Sequence, residues 1–202
     1  MTGQFPDTVD LDGTEYSISA VDGAGLFVAE EHGFRPRFLS SACWRGHICA
    51  YAVSDDHLLL DRLTVGLEPY HPPVTLHGRT PRTASRRAHY PGAAIYRDLA
   101  MPVPFTGRLL LGADLDLYTH MGFQPAWYYE RVMELEVDGG HVERRTDRSA
   151  EMAEVRRRHR DGLTELGHQR EHVAGPMPSE ADLEDYVTRT FSLDYRYSWP
   201  DA

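Results

Sequence analysis

The chain contains no lysine and no asparagine, and all 21 of its basic residues are arginine. The absence of lysine excludes Schiff-base catalysis, pyridoxal phosphate anchoring and the phosphate-binding lysine of a P-loop. The absence of asparagine excludes a Cys-His-Asn triad. Because lysine and asparagine codons are AT-rich, we attribute both absences to GC-rich bacterial coding rather than to adaptation of the protein.

Long apolar runs and enzyme signatures are also missing. The longest apolar runs are a few residues, such as Leu58 to Leu60, so no segment is predicted to span a bilayer. The N-terminal residues have neither a basic region nor an apolar stretch, unlike a secretory signal. Two cysteines, Cys43 and Cys49, do not make a disulfide framework. The GxSxG, HExxH, GxGxxG and CxxC motifs are absent, and we expect a cytoplasmic protein without a cofactor.

The chain does have the size and composition of a folded acidic domain. Its 202 residues carry a formal charge of −10, and 41% of them are hydrophobic, which is enough for a core. The acidic balance argues against general nucleic-acid binding, which needs a basic surface. It is compatible with a basic protein partner.

Strand patterns dominate residues 1–146. A hairpin is predicted from Trp44 to Val65 around the turn at residues 54–57. The strongest strand is predicted from Trp127 to Val137, with an apolar face and an acidic face, and Asp138-Gly139-Gly140 then turns the chain. We therefore predict a mainly β fold, either a curved antiparallel sheet or a half-open barrel.

Helical spacing follows in residues 147–202. It begins near Ser149, a predicted N-cap, and a shorter helix is predicted from Ser179. We expect these helices and the aromatic tail to pack on the same domain. Residues 68–92 differ in composition, since they are rich in proline and arginine. They are predicted to be either a solvated insertion or a cationic arm that closes over an anionic ligand.

Chemically versatile side chains alternate along the predicted first hairpin strand. Arg45, His47 and Tyr51, together with Cys43 and Cys49, are expected on one face, and small apolar residues on the other. We interpret Arg45 and Tyr51 as ligand-binding residues and His47 as an acid–base residue. Two alternatives stay open for the cysteines: small buried hydrophobic side chains, or a metal site shared with His47.

A second cluster lies on a predicted strand at residues 118–122. His120 is an acid–base candidate because an imidazole titrates near neutral pH, and Tyr118 could donate to a developing oxyanion. The alternative is a satisfied histidine at a core edge. Arg131 and Trp127 complete the predicted ligand-binding set. Arg131 could instead form an internal ion pair, since it lies in an otherwise apolar row.

Three segments carry a family resemblance: Trp44-Arg45-Gly46-His47-Ile48, Phe105-Thr106-Gly107-Arg108-Leu109 and Tyr118-Thr119-His120-Met121-Gly122-Phe123. In order, they resemble three signatures of a set of small uncharacterised bacterial proteins, the first of which is aromatic-Arg-Gly-(Tyr/His)-Ile. The resemblance covers residues 38–142. It implies no activity, but it favours treating the two clusters as one site. The proline- and arginine-rich loop and the helical C-terminus depart from that pattern.

Two functions are consistent with these patterns. The first is an acidic binding protein, of the inhibitor or immunity type, which uses an acidic strand face at Glu130, Glu134 and Glu136 to dock on a basic partner. The second is a small-molecule enzyme of specialised metabolism, in which His47 and His120 act as acid and base, and Tyr118 and Arg45 orient an anionic or carbonyl substrate. Neither function implies nucleic acid or a membrane as a partner.

Overall fold

A computed structural model describes residues 4–68, 74–116, 123–158 and 192–198. These residues contain ten strands, three short 3-10 helices and the start of one α-helix (α1, residues 149–158). The strands are β1 (Thr8–Leu11), β2 (Thr14–Ala24), β3 (His47–Ser54), β4 (His57–Val65), β5 (Arg82–Thr83), β6 (Ala94–Tyr96), β7 (Met101–Pro102), β8 (Thr106–Leu115), β9 (Tyr129–Asp138) and β10 (His141–Asp147).

Seven of these strands form a closed barrel. They follow the order β10-β9-β8-β2-β1-β3-β4, and a pairing of His141 on β10 with His57 on β4 closes the circle. Every pair in the circle is antiparallel except β1 and β3, which run parallel. The short strands β5, β6 and β7 attach outside it, along β4. This confirms the predicted mainly β fold, although the sheet is closed and mixed.

The barrel interior is filled by large side chains rather than by a ligand cavity. Tyr51, Tyr96, Phe105 and a set of leucines are almost fully buried there. The alternation of β4 supplies part of this core, because Leu58 and Leu60 point inward and a bulge brings Leu63 inward after them. Small barrels of this kind are stabilised by packed side chains, so binding sites lie outside the core.

A second core covers the outer face of β2, β8 and β9. Leu110 and Val132 point out of the barrel but are fully buried, because Met152 of α1 and Tyr195 of the C-terminal segment pack over them. Trp127 belongs to the same cluster. The expected packing of a C-terminal helix on the sheet is therefore observed. Among the described residues, no helix is long and apolar enough to cross a membrane.

Glu134 ties these outer elements to the sheet. Its side chain is about 1% exposed and accepts hydrogen bonds from Arg148 Nε at 2.5 Å and from the Tyr195 hydroxyl at 2.7 Å. Arg148 stands at the start of α1, so one buried carboxylate holds both α1 and the C-terminal segment. The predicted acidic face of β9 is therefore wrong at Glu134: one of its three glutamates is structural.

Several predicted boundaries move. Residues 25–28, where the sequence also permits a short strand, form none, and a 3-10 helix follows at Ala29–His32. Trp127 lies in the 3-10 helix Ala126–Tyr128, one turn before β9 begins. Ser149 does not cap α1: its hydroxyl accepts from Val132 N, while the Asp147 carboxylate accepts from Ser149 N. A helix end assigned from sequence is commonly shifted by one or two residues.

Both predicted hairpins are present. The β3–β4 turn places Asp55 and Asp56 at φ 48° and 58°, a left-handed pair that fits the twist of the flanking strands. The β9–β10 turn uses Gly139 and Gly140 in the same way. The described part of the proline- and arginine-rich segment is mostly irregular and contributes the short strand β5.

Candidate functional site

The start of β3 holds a buried ion pair between residues far apart in sequence. Arg45 Nη2 donates to Asp7 Oδ1 at 2.7 Å, and Cys49 N donates to the same oxygen at 2.6 Å. Arg45 Nε also donates to His47 O at 2.9 Å. Burial raises the pKa of Asp7, although Arg45 and the Cys49 N–H oppose that shift. The guanidinium is thereby fixed, with its polar groups committed to the protein.

His47 lies beside this ion pair, mostly shielded from solvent. Its ring stands edge-on to Phe27, with centroids 6.2 Å apart, and its Nδ1 atom is buried without a hydrogen-bond partner among the described residues. Burial, followed by repulsion from Arg45, lowers the pKa of His47. The imidazole is therefore neutral at pH 7, which is the form of a base.

The predicted polar face of β3 is wrong in its direction. Cys43 and Arg45 precede the strand in a turn, and Cys49 and Tyr51 point into the packed barrel core. Ile48, which was expected on the core side, is half-buried on the outer side. Tyr51 accepts a hydrogen bond from Phe27 N at 3.2 Å and does not face a ligand cavity.

The thiols are not reactive groups. Burial raises the pKa of Cys43 and, more strongly, that of Cys49. A protonated, enclosed thiol is a poor nucleophile and a poor metal ligand. Within the described ranges, no group of three or more His, Cys, Asp and Glu side chains is arranged to hold a metal ion, so the proposed site at Cys43, His47 and Cys49 gains no support.

An aromatic-lined cavity of about 360 Å³ opens beside Arg45. Its other lining residues include Gln4, Phe5, Trp44 and Phe123. Phe123 directly follows the predicted second cluster, but Tyr118 and His120 themselves lie outside the described residues. Arg45 is thus the one predicted site residue that lines this cavity, and it does so while bonded to Asp7.

The remaining predicted ligand-binding residues are structural. Arg131 is about half exposed near the start of β9, ion-paired with Asp114, with its guanidinium 5.8 Å from the centre of the Tyr16 ring. The internal-pair interpretation of Arg131 is the one observed. Trp127 is buried against Tyr128 in the second core, with ring centroids 4.1 Å apart. Neither residue shares a cavity with Arg45.

Carboxylates gather elsewhere, where three hairpin turns meet along β10. Arg145 bridges two of the turns, because its guanidinium contacts Asp12 at 3.1 Å and Asp56 at 2.7 Å. His141 stacks edge-on against His57 and contacts Glu143, with 3.1 Å between Nδ1 and Oε1. We call this region the acidic turn surface; its carboxylates are those of Asp12, Asp55, Asp56, Asp138 and Glu143.

A mostly apolar recess of about 560 Å³ lies within the acidic turn surface. Leu58, Leu59, Pro102, Val103 and Pro104 form its floor and walls. Asp55 and His57 of the β3–β4 turn, and Gly139 and Gly140 of the β9–β10 turn, complete the rim. An apolar centre with a charged rim has the anatomy of a protein–protein contact.

Sequence reasoning missed both the Asp7 partner and this surface. Asp7 is 38 residues from Arg45, and no local pattern joins them. The general rule that an arginine in an apolar setting needs a carboxylate would have prompted a search for one. The acidic turns were recognised singly as turns, but their convergence depends on barrel closure.

Comparison with other proteins adds no functional assignment. The site must therefore be interpreted from its own geometry and charge. No protein-family model, curated protein or solved structure matches this chain.

Proposed function

We propose that this protein is a non-catalytic binding module that docks a basic protein partner on the acidic turn surface. The observation that carries the proposal is the apolar recess between the β3–β4 and β9–β10 turns, which Asp55 lines and beside which Arg145 joins the carboxylates of Asp12 and Asp56. A basic partner would place an apolar side chain in the recess and its arginines or lysines on the rim. Inhibition follows if the covered surface is the one that the partner uses.

Charge complementarity favours a basic partner over a neutral one. The acidic turn surface carries five carboxylates, of which Asp55 lines the recess, and Arg145 is the described arginine that contacts them, through Asp12 and Asp56. Such a field speeds encounter with a cationic surface and repels an acidic one. The chain's overall charge of −10 acts in the same direction.

The test uses a peptide of alternating arginine and leucine, together with an arginine–serine peptide of equal charge. The double variant Asp55→Asn/Asp138→Asn should weaken binding of the arginine–leucine peptide about tenfold, since two exposed charged contacts of about 0.7 kcal/mol each sum to about 1.4 kcal/mol. The serine peptide should bind more weakly to the wild type, because it leaves the recess empty. Both affinities are measured by isothermal titration calorimetry.

The matched control is Glu30→Gln/Glu31→Gln, which removes the same charge near the His47 end of β3. The eight residues of β3 separate that end from the acidic turn surface by about 23 Å. If the two double variants lose the same affinity for the arginine–leucine peptide, the effect comes from net charge alone, which contradicts the proposal. Equal affinity of the wild type for the two peptides would show that the recess does not contribute to binding.

Histidine acid–base catalysis is the second candidate. It is favoured by the neutral His47 ring and its unpaired Nδ1 atom. The packed barrel interior and the committed Arg45 guanidinium weigh against it, because neither leaves a preformed substrate site inside the sheet. A crystal structure with His47 and His120 on opposite sides of the sheet would exclude this candidate.

A further inference from the structure

Arginines divide into two groups along this chain. Arg45 and nine described arginines from Arg108 to Arg196 each form an ion pair with a carboxylate. Within the described residues, eight others form none. They all lie between positions 35 and 97: Arg35, Arg37, Arg62, Arg79, Arg82, Arg86, Arg87 and Arg97. Among the described residues, this acidic protein thus leaves its unpaired arginines in one part of its sequence.

Three of the unpaired arginines line one cavity. Arg79, Arg82 and Arg97 surround a space of about 380 Å³, together with Thr80 and Asp98. Arg79 is held in place because its Nε donates to the backbone oxygen of Asp98 at 3.2 Å. The Asp98 carboxylate lies in the same wall and forms no ion pair with a described residue, so the lining carries a formal charge of +2.

Strand register explains why these arginines converge. Arg82 on β5 is paired with Ile95 on β6, and Ile95 is paired with Thr64 on β4. Paired residues point to the same face of a sheet, and so do residues two positions apart on one strand. Arg97 therefore follows Ile95 onto the outer face that Arg82 occupies. The tight turn from Leu76 to Arg79 then brings Arg79 to the same edge.

We propose that this cavity binds a small phosphorylated compound. Planar guanidinium groups bind phosphate oxygens in pairs, and three of them here converge without carboxylate partners. A phosphate monoester carries a charge of about −2 at neutral pH, which matches the lining. Thr80 can donate a further hydrogen bond, and the Asp98 carboxylate can accept one from a ligand hydroxyl.

A small ligand fits better than a nucleic acid. The cavity volume is within the range of about 300–1,000 Å³ that small-molecule sites occupy. Polyanion binding requires an extended basic surface, whereas this chain carries a formal charge of −10. The arginine-lined cavity is separate from the acidic turn surface, because no residue that lines the cavity belongs to that surface.

The experiment titrates the full chain with glycerol 3-phosphate by isothermal titration calorimetry. A parallel titration uses a single-stranded 20-nucleotide DNA. The variant Arg82→Gln/Arg97→Gln should bind the phosphate ester at least about tenfold more weakly, as expected for the loss of charged hydrogen bonds. Arg86→Gln/Arg87→Gln removes the same charge from unpaired arginines that do not line the cavity, and should change affinity less than about twofold.

Three outcomes would overturn the proposal: no binding of glycerol 3-phosphate by the wild type, equal weakening in the two double variants, or binding of DNA alone. Thermal unfolding midpoints of both variants check that they fold. If a double variant does not fold, the single substitutions Arg97→Gln and Arg86→Gln replace the pair with the same expected contrast. Asp55→Asn/Asp138→Asn should leave phosphate affinity unchanged, which separates this site from the proposed partner surface.

Discussion

At the scale of single residues, burial separates two ion pairs that look alike in sequence. Asp7 and Arg45 form one pair, and Asp7 is about 8% exposed. Asp114 and Arg131 form the other, and both are about half exposed. The first pair is largely shielded from water, with the side chains of Arg45 and Asp7 27% and 12% exposed, whereas the second is solvated.

We expect Asp7→Ala to lower the free energy of unfolding by about 1–3 kcal/mol, since it leaves the buried Cys49 N–H without its acceptor and the partly buried Arg45 guanidinium without its carboxylate. Asp114→Ala, which removes the exposed partner of Arg131, should have little effect. Urea denaturation measures both. A small effect at Asp7 would mean that water replaces the lost carboxylate.

His47 gives the protein a pH-dependent stability. Its pKa is lowered in the folded state by burial, while the unfolded chain keeps a value near about 6.5. As pH falls below that value, the unfolded state takes up a proton that the folded state does not, so stability decreases. At pH values above the unfolded-state pKa, the contribution of His47 to stability is fully present.

Substituting Gln for His47 should therefore flatten the pH profile. The urea midpoint of the wild type should fall more between pH 7.5 and pH 5.5 than that of His47→Gln, whatever constant offset the substitution adds. All other residues are the same in the two proteins, so their contributions cancel in the comparison. Parallel profiles would show that His47 is protonated as readily in the folded state as in the unfolded one.

The sequence predicted these residues incompletely, for a physical reason. It placed Arg45 and His47 on one face of a strand, whereas Arg45 precedes β3 and its Nε donates to the His47 backbone oxygen. It oriented β3 the wrong way because Gly46, Ile48 and Ala50 are smaller and less polar than the residues between them. Cys49 and Tyr51 are buried and fill space in the barrel core, and the polarity of their side chains alone does not predict this burial.

At the scale of elements, β9 carries two glutamates with opposite roles. Glu134 is buried under α1 and the C-terminal segment, where it binds Arg148 and Tyr195. Glu136, two residues later, is partly exposed and pairs with Arg144. Both have an arginine partner, so a count of salt bridges would treat them as equal.

We expect Glu134→Ala to lower the free energy of unfolding by about 3–5 kcal/mol, because Arg148 is left without its buried acceptor and the Tyr195 hydroxyl without a partner at this position. Glu136→Ala should change it little, since its pair is solvated. Denaturant unfolding, followed by circular dichroism, makes the comparison. Similar losses in both variants would contradict the structural role assigned to Glu134.

Local turn chemistry made the hairpins predictable, whereas long-range pairing was not. Asp55-Asp56 and Gly139-Gly140 favour left-handed turn residues, and each joins strands that are adjacent in sequence. The parallel pairing of β1 with β3 and the closure of β10 onto β4 join segments separated by about 40 and about 80 residues. No local periodicity encodes such contacts, so a half-open barrel was the limit of inference.

At the scale of the whole molecule, charge is separated between two surfaces. The acidic turn surface lies where β10 meets the β1–β2 and β3–β4 turns, and the arginine-lined cavity lies on the outer face of β4, β6 and β5. Composition gave the net charge of −10 but could not give this separation. It depends on which arginines find carboxylate partners once the barrel closes.

Arg145 stands where stability and the proposed binding function conflict. It neutralises part of the acidic turn surface by contacting Asp12 and Asp56, and so holds two turns against β10. Arg145→Gln should lower stability by no more than about 1 kcal/mol, because both partners are exposed. The loss should be larger at 20 mM than at 500 mM salt, since screening weakens the repulsion among the remaining carboxylates.

The same substitution should strengthen binding of the arginine–leucine peptide by about twofold or more at low salt, because the surface becomes more negative. Arg144→Gln is the matched control: it also removes one charge from β10, but its partner Glu136 lies outside the acidic turn surface. Calorimetric titration of both variants decides the point. If Arg145→Gln weakens peptide binding, the contribution of Arg145 to holding the two turns in place outweighs its repulsion of the cationic peptide. Binding would then depend more on the shape of the acidic turn surface than on its charge.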